Sequence, residues 1–291
     1  MIWVILGIIQ SILNAFWMIL TKKVLENKKV WNNIQTFLNR SYHFLILLLL
    51  FILWFLNYNI DSAWLTYWDY WLFFISTSML YVTYPLRRVA YANEKVSVLQ
   101  PYAMLFQVFP VIIWFIFISS ERTNLITFLS AVLAALIVIL SSIDYKNFKF
   151  NKYSLMVLLS SLIKSIQVFA TLYFLKKLTP ASLYFTESIL IIFISLFLMY
   201  FKNEFNQFKL LKKNYIKLLT FANSVVLISI LLALTMYSSL GVILTSLLSL
   251  LYLAFIYILG YFILWEKPSK KDILVTLAVA CCIIIWVLAK N

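Results

Sequence analysis

A lysine deep inside an apolar helix is the residue of this chain that most needs a chemical explanation. Lys164 stands ten residues into the uncharged run 154–175, roughly 15 Å along a helix at 1.5 Å per residue. A charge at that depth costs a few kcal/mol or more, so an intramembrane ionisable residue is a functional candidate by default. Glu187 lies five residues into the next apolar run, 182–201. It can carry a proton, pair with Lys164 as a structural bridge, or reach the interface. Arg40 and His43 share one helical face at i, i+3 spacing. Arg40 is expected to extend toward cytoplasmic headgroups, and His43 to pack through hydrogen bonds or to line a site.

Asn14, Gln100, Gln107, Gln167 and Asn223 are amides within apolar runs. Such amides hydrogen-bond between helices or line polar cavities. Tyr81, Tyr84, Tyr91 and Tyr102 flank the same region and are suited either to a cavity wall or to packing. Pro85, Pro101 and Pro110 interrupt the helix hydrogen-bond ladder and are hinge candidates or simple bends. The substrate-binding or coupling candidates are therefore Lys164, Glu187, Asn14, His43, Gln100, Gln107, Gln167, Tyr81, Tyr84 and Tyr102.

Enzymatic chemistry is not expected. The chain has no HExxH, Walker A, GxGxxG or nucleophile elbow. Its one His and two adjacent cysteines, Cys281 and Cys282, make no zinc set and imply no metal or cofactor. Neighbours on a helix point about 100° apart, so these cysteines read as packing residues rather than a disulfide. Asp61, Asp69, Asp144 and Asp272 are all expected in loops, which removes the intramembrane aspartate pair of a protease.

The elements that would carry these side chains are long apolar helices. Of 291 residues 64% are hydrophobic and 12% charged, with mean hydropathy +0.97. Soluble domains carry about 25% charged residues, so this chain cannot cover a water-facing surface. A bilayer core needs about 20 apolar residues of helix, and ten stretches qualify: 2–21, 34–56, 67–86, 97–118, 124–143, 154–175, 182–201, 215–236, 241–265 and 273–289. Trp64, Tyr67, Trp68, Tyr70 and Trp71 form an interfacial aromatic belt. The first stretch lacks a basic leader and a small-residue cleavage site, and reads as an uncleaved helix.

The net charge of +14 reads as topology rather than as affinity for nucleic acid. With ten spans, eighteen Lys and Arg fall on one side and four on the other, which makes the rich side cytoplasmic and places both termini outside. That face would also meet anionic lipid.

The sequence is duplicated. Ile9-Gln10-Ser11-Ile12 precedes Lys22-Lys23, and Ile163-Lys164-Ser165-Ile166 precedes Lys176-Lys177 at the same spacing. Counting from Glu121 and from Glu266, Leu129, Ala135 and Ile139 align on Leu274, Ala280 and Ile284. Five spans per copy reverse the second copy. The expected fold is an all-α membrane protein of ten transmembrane helices, as two inverted five-helix repeats at 1–147 and 148–291 within one integral membrane unit. Inverted repeats place a substrate site near the midplane between the halves.

Ten spans as five plus five, with short apolar helices ending at Glu121 and Glu266, resemble the drug/metabolite transporter superfamily and its EamA-like branch. The stretches Ala90-Tyr91-Ala92 to Pro110 and Ser239-Leu240-Gly241 to Glu266-Lys267-Pro268-Ser269 are similar to the ends of that family's two units. The family usually has Gly before the acidic residue, where Ser120 and Trp265 stand here. The chain has only three glycines, so Ser97, Ala103, Ser246 and Ser249 are expected to make close helix contacts. The resemblance implies a cavity built mainly by the third, fourth, eighth and ninth spans. It also implies both termini in the cytoplasm, opposite to the charge bias.

The expected function is a secondary transporter or exporter of a small polar or amphipathic metabolite, working by alternating access in a bacterial cytoplasmic membrane. The alternatives are a flippase for a lipid-linked intermediate and, further off, a non-transporting membrane enzyme or scaffold. The expected partners are the lipid bilayer and a small molecule, an anion or a zwitterion, with no nucleic acid and with the chain as a monomer or homodimer.

Overall fold

The protein, seen in a computed structural model, is helical wherever its residues form regular structure, with no strand among the described residues. Described are 2–25, 32–55, 66–96, 98–100, 102–103, 105–106, 109–110, 128–130, 132–133, 136–137, 140, 152–210, 213–249, 251–265, 267, 269–270, 273–274, 277–278 and 281–282. The helices are α1 (Ile2–Leu25), α2 (Asn32–Phe55), α3 (Tyr67–Asn93), α4 (Lys152–Leu175), α5 (Pro180–Phe201), α6 (Lys213–Ser249) and α7 (Tyr252–Leu264). A short 3₁₀ helix, Glu204–Leu210, joins α5 to α6.

Among the described residues four segments are long and apolar enough to cross a bilayer: Ile2–Val24, Lys152–Leu175, Pro180–Phe201 and Lys213–Leu240. Helices α2 and α3 are as long but carry Arg40, His43, Arg87 and Arg88. Large apolar side chains stand open on the outside, among them Phe193, Phe197, Phe201 and Phe262. Tyr67, Trp68, Tyr70 and Trp71 are exposed together at the start of α3, as an interfacial belt requires; Trp64 lies outside the described residues. The protein reads as an integral membrane protein. The fifth and tenth expected spans fall mostly outside the described residues, as do Glu121 and Glu266.

Two boundaries and the placement of one residue differ most from what the sequence suggests. Helix α3 runs on through Pro85 to Asn93, past the expected end at residue 86. Its last carbonyls are satisfied from outside, because the Lys22 ammonium donates to Tyr91 O at 2.8 Å and to Glu94 O at 2.5 Å. Helix α6 is continuous from Lys213 to Ser249, whereas a break was expected at 237–240. At 1.5 Å per residue its 37 residues extend well beyond a bilayer core of about 30 Å. Asp69 is the third residue of α3, not a loop residue. Thr66 Oγ1 accepts from Asp69 N, and the Asp69 carboxylate accepts from Thr66 N at 2.6 Å, forming a capping box.

The helices of the first half pack on those of the second. Helix α1 lies along α6 and α7, α3 along α4, and α2 along α5. Small residues make the close contacts. A Cβ at Gly7 would stand 3.1 Å from the Leu248 Cβ, and Ser11 Oγ donates to Leu248 O at 3.3 Å. Across the other contact Ser161 Oγ donates to Tyr102 O at 3.0 Å and Ser165 Oγ lies 3.5 Å from Phe106 O. Ala103 and Ser249 are buried as expected. Ser97 lies outside the described residues, and so does the side chain of Ser246.

Helix α7 ends at Trp265, with φ 57° in the left-handed region. A bulky residue is an outlier there and glycine is the usual occupant. The Trp265 side chain is exposed, so its ring adds no packing to offset the strain.

Candidate functional site

A cavity of about 250 Å³ lies between the two halves of the chain. Helix α1 contributes Gln10, Asn14, Trp17, Met18 and Thr21, α2 Thr36, Asn39, Arg40 and His43, and α3 Leu80, Tyr84, Arg87, Arg88 and Tyr91. Ala103 and Phe106 enter from the segment after α3. Helix α4 adds Lys164, Gln167, Val168 and Thr171, and α5 adds Tyr184 and Glu187. Helix α6 supplies a mostly apolar wall from Val226 to Tyr237 together with Ser249, and Tyr252 comes from α7. Among the described residues the third, fourth, eighth and ninth expected spans share the cavity wall with other helices, and most of the fourth span lies outside the described residues. Helices α1, α2, α4 and α5 carry much of the polar lining.

Among the described residues four cations and one carboxylate, Glu187, face this space. Arg40 and Arg88 both lie against the Tyr84 ring, their guanidinium carbons 5.5 Å and 5.9 Å from its centre. Arg40 also stands 4.8 Å over the Tyr184 ring. Arg87 and Lys164 both lie against the Phe106 ring, at 5.5 Å and 5.4 Å. Cations gain from aromatic faces most when they are removed from water, which is why helices carrying such charges can pack at all.

Hydroxyl groups hold one member of each pair. Arg88 Nη1 donates to Thr36 Oγ1 at 2.7 Å. Arg87 donates through Nε to Ser160 Oγ at 2.7 Å and through Nη2 to Ser161 Oγ at 3.3 Å. The other members are less satisfied. Arg40 Nη2 donates to the Tyr84 hydroxyl, but its Nη1 is buried without a hydrogen-bond partner. Lys164 has the Phe106 face and no acceptor among the described residues.

Around these charges the neutral groups are ordered. His43 bridges Asn223 O at 2.9 Å through Nε2 and the Tyr184 hydroxyl at 2.8 Å through Nδ1. A carbonyl only accepts, so Nε2 carries the hydrogen, and in the neutral ring Nδ1 accepts from Tyr184. Tyr184 is thereby fixed beneath Arg40. Gln167 donates from Nε2 to Thr171 Oγ1 at 3.0 Å and to Glu187 Oε1 at 3.2 Å. Glu187 is 7% exposed and lies within electrostatic reach of Arg40 and Lys164, without forming an ion pair with either. The bridge between Lys164 and Glu187 that the sequence allowed is not formed.

Of the residues singled out from sequence, Asn14, His43, Tyr84, Lys164, Gln167 and Glu187 meet at the cavity. Gln100 stands behind it, donating to the Tyr252 hydroxyl at 2.8 Å. Tyr81 packs with Leu80 and Ile191, and Tyr102 packs in the main core; neither lines the cavity. Pro85 and Pro110 are helical but do not line it. Gln107 and Pro101 lie outside the described residues.

The sequence reading missed three arginines. Arg40 does not reach headgroups: it is 5% exposed and turned into the cavity. Arg87 and Arg88 belong to α3 rather than to the cytoplasmic charges, because the helix runs about two turns past the expected end at residue 86. Removing both leaves the charge bias at sixteen against four, with its sign unchanged. The available signal was the Pro85-Leu86-Arg87-Arg88 run continuing into apolar Val89-Ala90-Tyr91.

A second charged cluster lies at the start of α3. Lys177 Nζ pairs with Asp69 Oδ2 at 2.7 Å, and the Tyr173 hydroxyl donates to Asp69 Oδ1 at 2.6 Å. The Asp69 carboxylate holds the Lys177 ammonium protonated above the ordinary lysine range. Among the described residues no three His, Cys, Asp or Glu side chains gather as a metal would require.

Solved structures with a similar backbone include a crystal structure of a protein. Its TM-score is 0.61 over 97% of this chain and 96% of that one, at 12% identity. At that identity the likeness shows a shared fold alone. No protein-family model matches the chain, and no curated protein matches it.

Proposed function

We propose that this chain is a secondary transporter of a small polar or amphipathic metabolite, working by alternating access around the central cavity. The observation that carries the reading is a lining rich in polar and cationic groups, with Arg40 Nη1 buried and unpartnered, between two halves of an apolar helical chain. Buried charge of this kind is costly in a membrane protein and marks a substrate or ion path. Two inverted five-helix repeats, as in the drug/metabolite transporters that the sequence resembles, are part of the same proposal.

The helix pairings support the repeat. If α1, α2 and α3 correspond to α4, α5 and α6, exchanging the halves turns the α1–α6 contact into α4–α3 and leaves α2–α5 unchanged. These are the main pairings observed. Gln10 and Lys164, matched in the sequence repeat, both line the cavity. Of the next matched pair, Ser11 Oγ donates to Leu248 O of the facing helix, whereas Ser165 Oγ donates to Ser161 O of its own helix at 2.7 Å and lies 3.5 Å from Phe106 O.

The test is two-sided access. In a chain with Cys281→Ala and Cys282→Ala, Asn14→Cys places one thiol on the cavity wall. A membrane-impermeant thiol reagent applied to vesicles of defined orientation is expected to label it from either side. Labelling from one side alone, under all conditions, would contradict alternating access.

A further inference from the structure

The lining has more positive charge than the protein itself can answer. Arg40, Arg87, Arg88 and Lys164 face the cavity with Glu187 as the one carboxylate among its lining residues. Arg87 and Arg88 are anchored on Ser and Thr hydroxyls. Arg40 Nη1 is buried and unpartnered, and Lys164 has no acceptor among the described residues. A buried cation with open donors calls for a counter-ion, and a planar guanidinium suits an oxyanion. The nearest carboxylate, Glu187, makes no ion pair with either cation, and one of its oxygens is taken by the neutral Gln167 amide.

We infer that the cavity binds an amphipathic organic anion, a carboxylate or phosphate on an aromatic or apolar body, with its acid group between Arg40 and Lys164. Trp17, Tyr237 and Tyr252 provide a wall for the body. Glu187 is the reserve counter-ion, sharing the field of both cations when the site is empty and yielding it when the substrate's acid arrives. A cationic substrate would leave four like charges facing a fifth. This assignment rests on the transporter reading and names the substrate class of the same site.

Calorimetric titration of the purified full-length chain tests it with hydrocinnamate, phenyl phosphate, phenylalanine, hydrocinnamamide and phenethylammonium. Hydrocinnamate or phenyl phosphate is expected to bind saturably, and the relative strength of these two separates carboxylate from phosphate. The amide and the ammonium should bind at least about tenfold more weakly, the loss of a charge-assisted contact. Arg40→Gln and Lys164→Gln should each weaken the preferred anion by a similar factor, and Glu187→Gln should tighten it. The unmodified chain's choice among probes stands even if a variant fails to fold.

Equal binding of the amide or ammonium, tightest binding of phenylalanine, weaker anion binding in Glu187→Gln, or no saturable anion binding overturns the inference. Binding reads charge and not movement. Anion selectivity with one-sided labelling at Asn14 would sink the transporter reading alone. Two-sided labelling with a cation preference would sink this inference alone.

Discussion

Lys164 and Lys177 lie thirteen residues apart, one inside α4 and one just beyond it, and they are treated in opposite ways. Lys177 has Asp69 at 2.7 Å, and that carboxylate also accepts from Tyr173, from Thr66 N and from the Thr66 hydroxyl. Every group in the cluster is answered, and its work is to tie the α4–α5 connection to the start of α3. Lys164 has an aromatic face and no acceptor, although Glu187 is on the neighbouring helix. The chain can therefore satisfy a lysine with a carboxylate where a joint is needed. Leaving Lys164 open marks a place where a partner from outside the chain completes the set.

The largest effect expected from this contrast is in Lys164→Gln. Hydrocinnamate affinity should fall by about tenfold or more, the 1.5–3 kcal/mol of a hydrogen bond to a charged group. Its thermal midpoint should change little, because Lys164 makes no ion pair among the described residues and gives up only its contact with the Phe106 ring. A lower midpoint with unchanged affinity, measured by calorimetry and thermal melts, would make Lys164 a structural residue like Lys177.

Next is a packing contrast at Gly7, one turn from Gln10. A side chain there meets Leu248 at 3.1 Å and the Met236 Cε at 3.3 Å. Gly7→Val should destabilise by about 1–3 kcal/mol through overpacking, read as loss of folded protein on heating in detergent. An unchanged melt would show that α1 and α6 separate easily at that level.

Tyr184→Phe sharpens the account of Arg40. It removes the hydroxyl bound to His43 and keeps the ring beneath the guanidinium. The expected cost is about 0.5–1.5 kcal/mol of stability, with a smaller loss of anion affinity than in Arg40→Gln. An equal loss would mean that the hydroxyl itself contacts the ligand.

The smallest effects should come from the outer cluster. Asp69→Asn should lower the thermal midpoint more than Lys177→Gln, because the carboxylate serves several donors and Lys177 is partly exposed. Neither should change hydrocinnamate affinity. A loss of affinity in either variant would couple the two clusters and remove the contrast.

Much of the helical architecture was legible in the sequence because hydropathy acts locally. The start of α3 at Tyr67 was legible in hydropathy. That of α5 was legible only to within two residues, since the expected span opens at 182 while Thr179 caps the helix and Pro180 sits in its first turn. Helix ends were harder. Arg87 and Arg88 look like the end of a span, yet α3 continues because Lys22 of another helix supplies donors to its last carbonyls. The continuity of α6 was hidden for a local reason: the polar run Tyr237-Ser238-Ser239 is accommodated within the helix, where Ser238 Oγ donates to Thr235 O.

The candidate site was half legible for a related reason. Lys164 and Glu187 stand out as charges in apolar runs, and six of the ten chosen residues reach the cavity. Tyr81, Gln100 and Tyr102 have the same composition and neighbourhood but point into packing or stand one layer behind. Side-chain direction depends on the rotation of each helix, which a hydropathy pattern with no polar face does not set.

By itself, then, the sequence determined that this chain is helical and suited to a bilayer, since each apolar run must satisfy its own backbone hydrogen bonds within itself. It also determined that Lys164 needs a physical explanation. Only the tertiary structure decided which charges share a space. Arg40, Arg87, Arg88 and Lys164 come from three helices, and the aromatic rings that hold them come from Tyr84, Phe106 and Tyr184. Electrostatic energy depends on distance through space, and the distances between these groups are set by helix packing rather than by their separation along the chain.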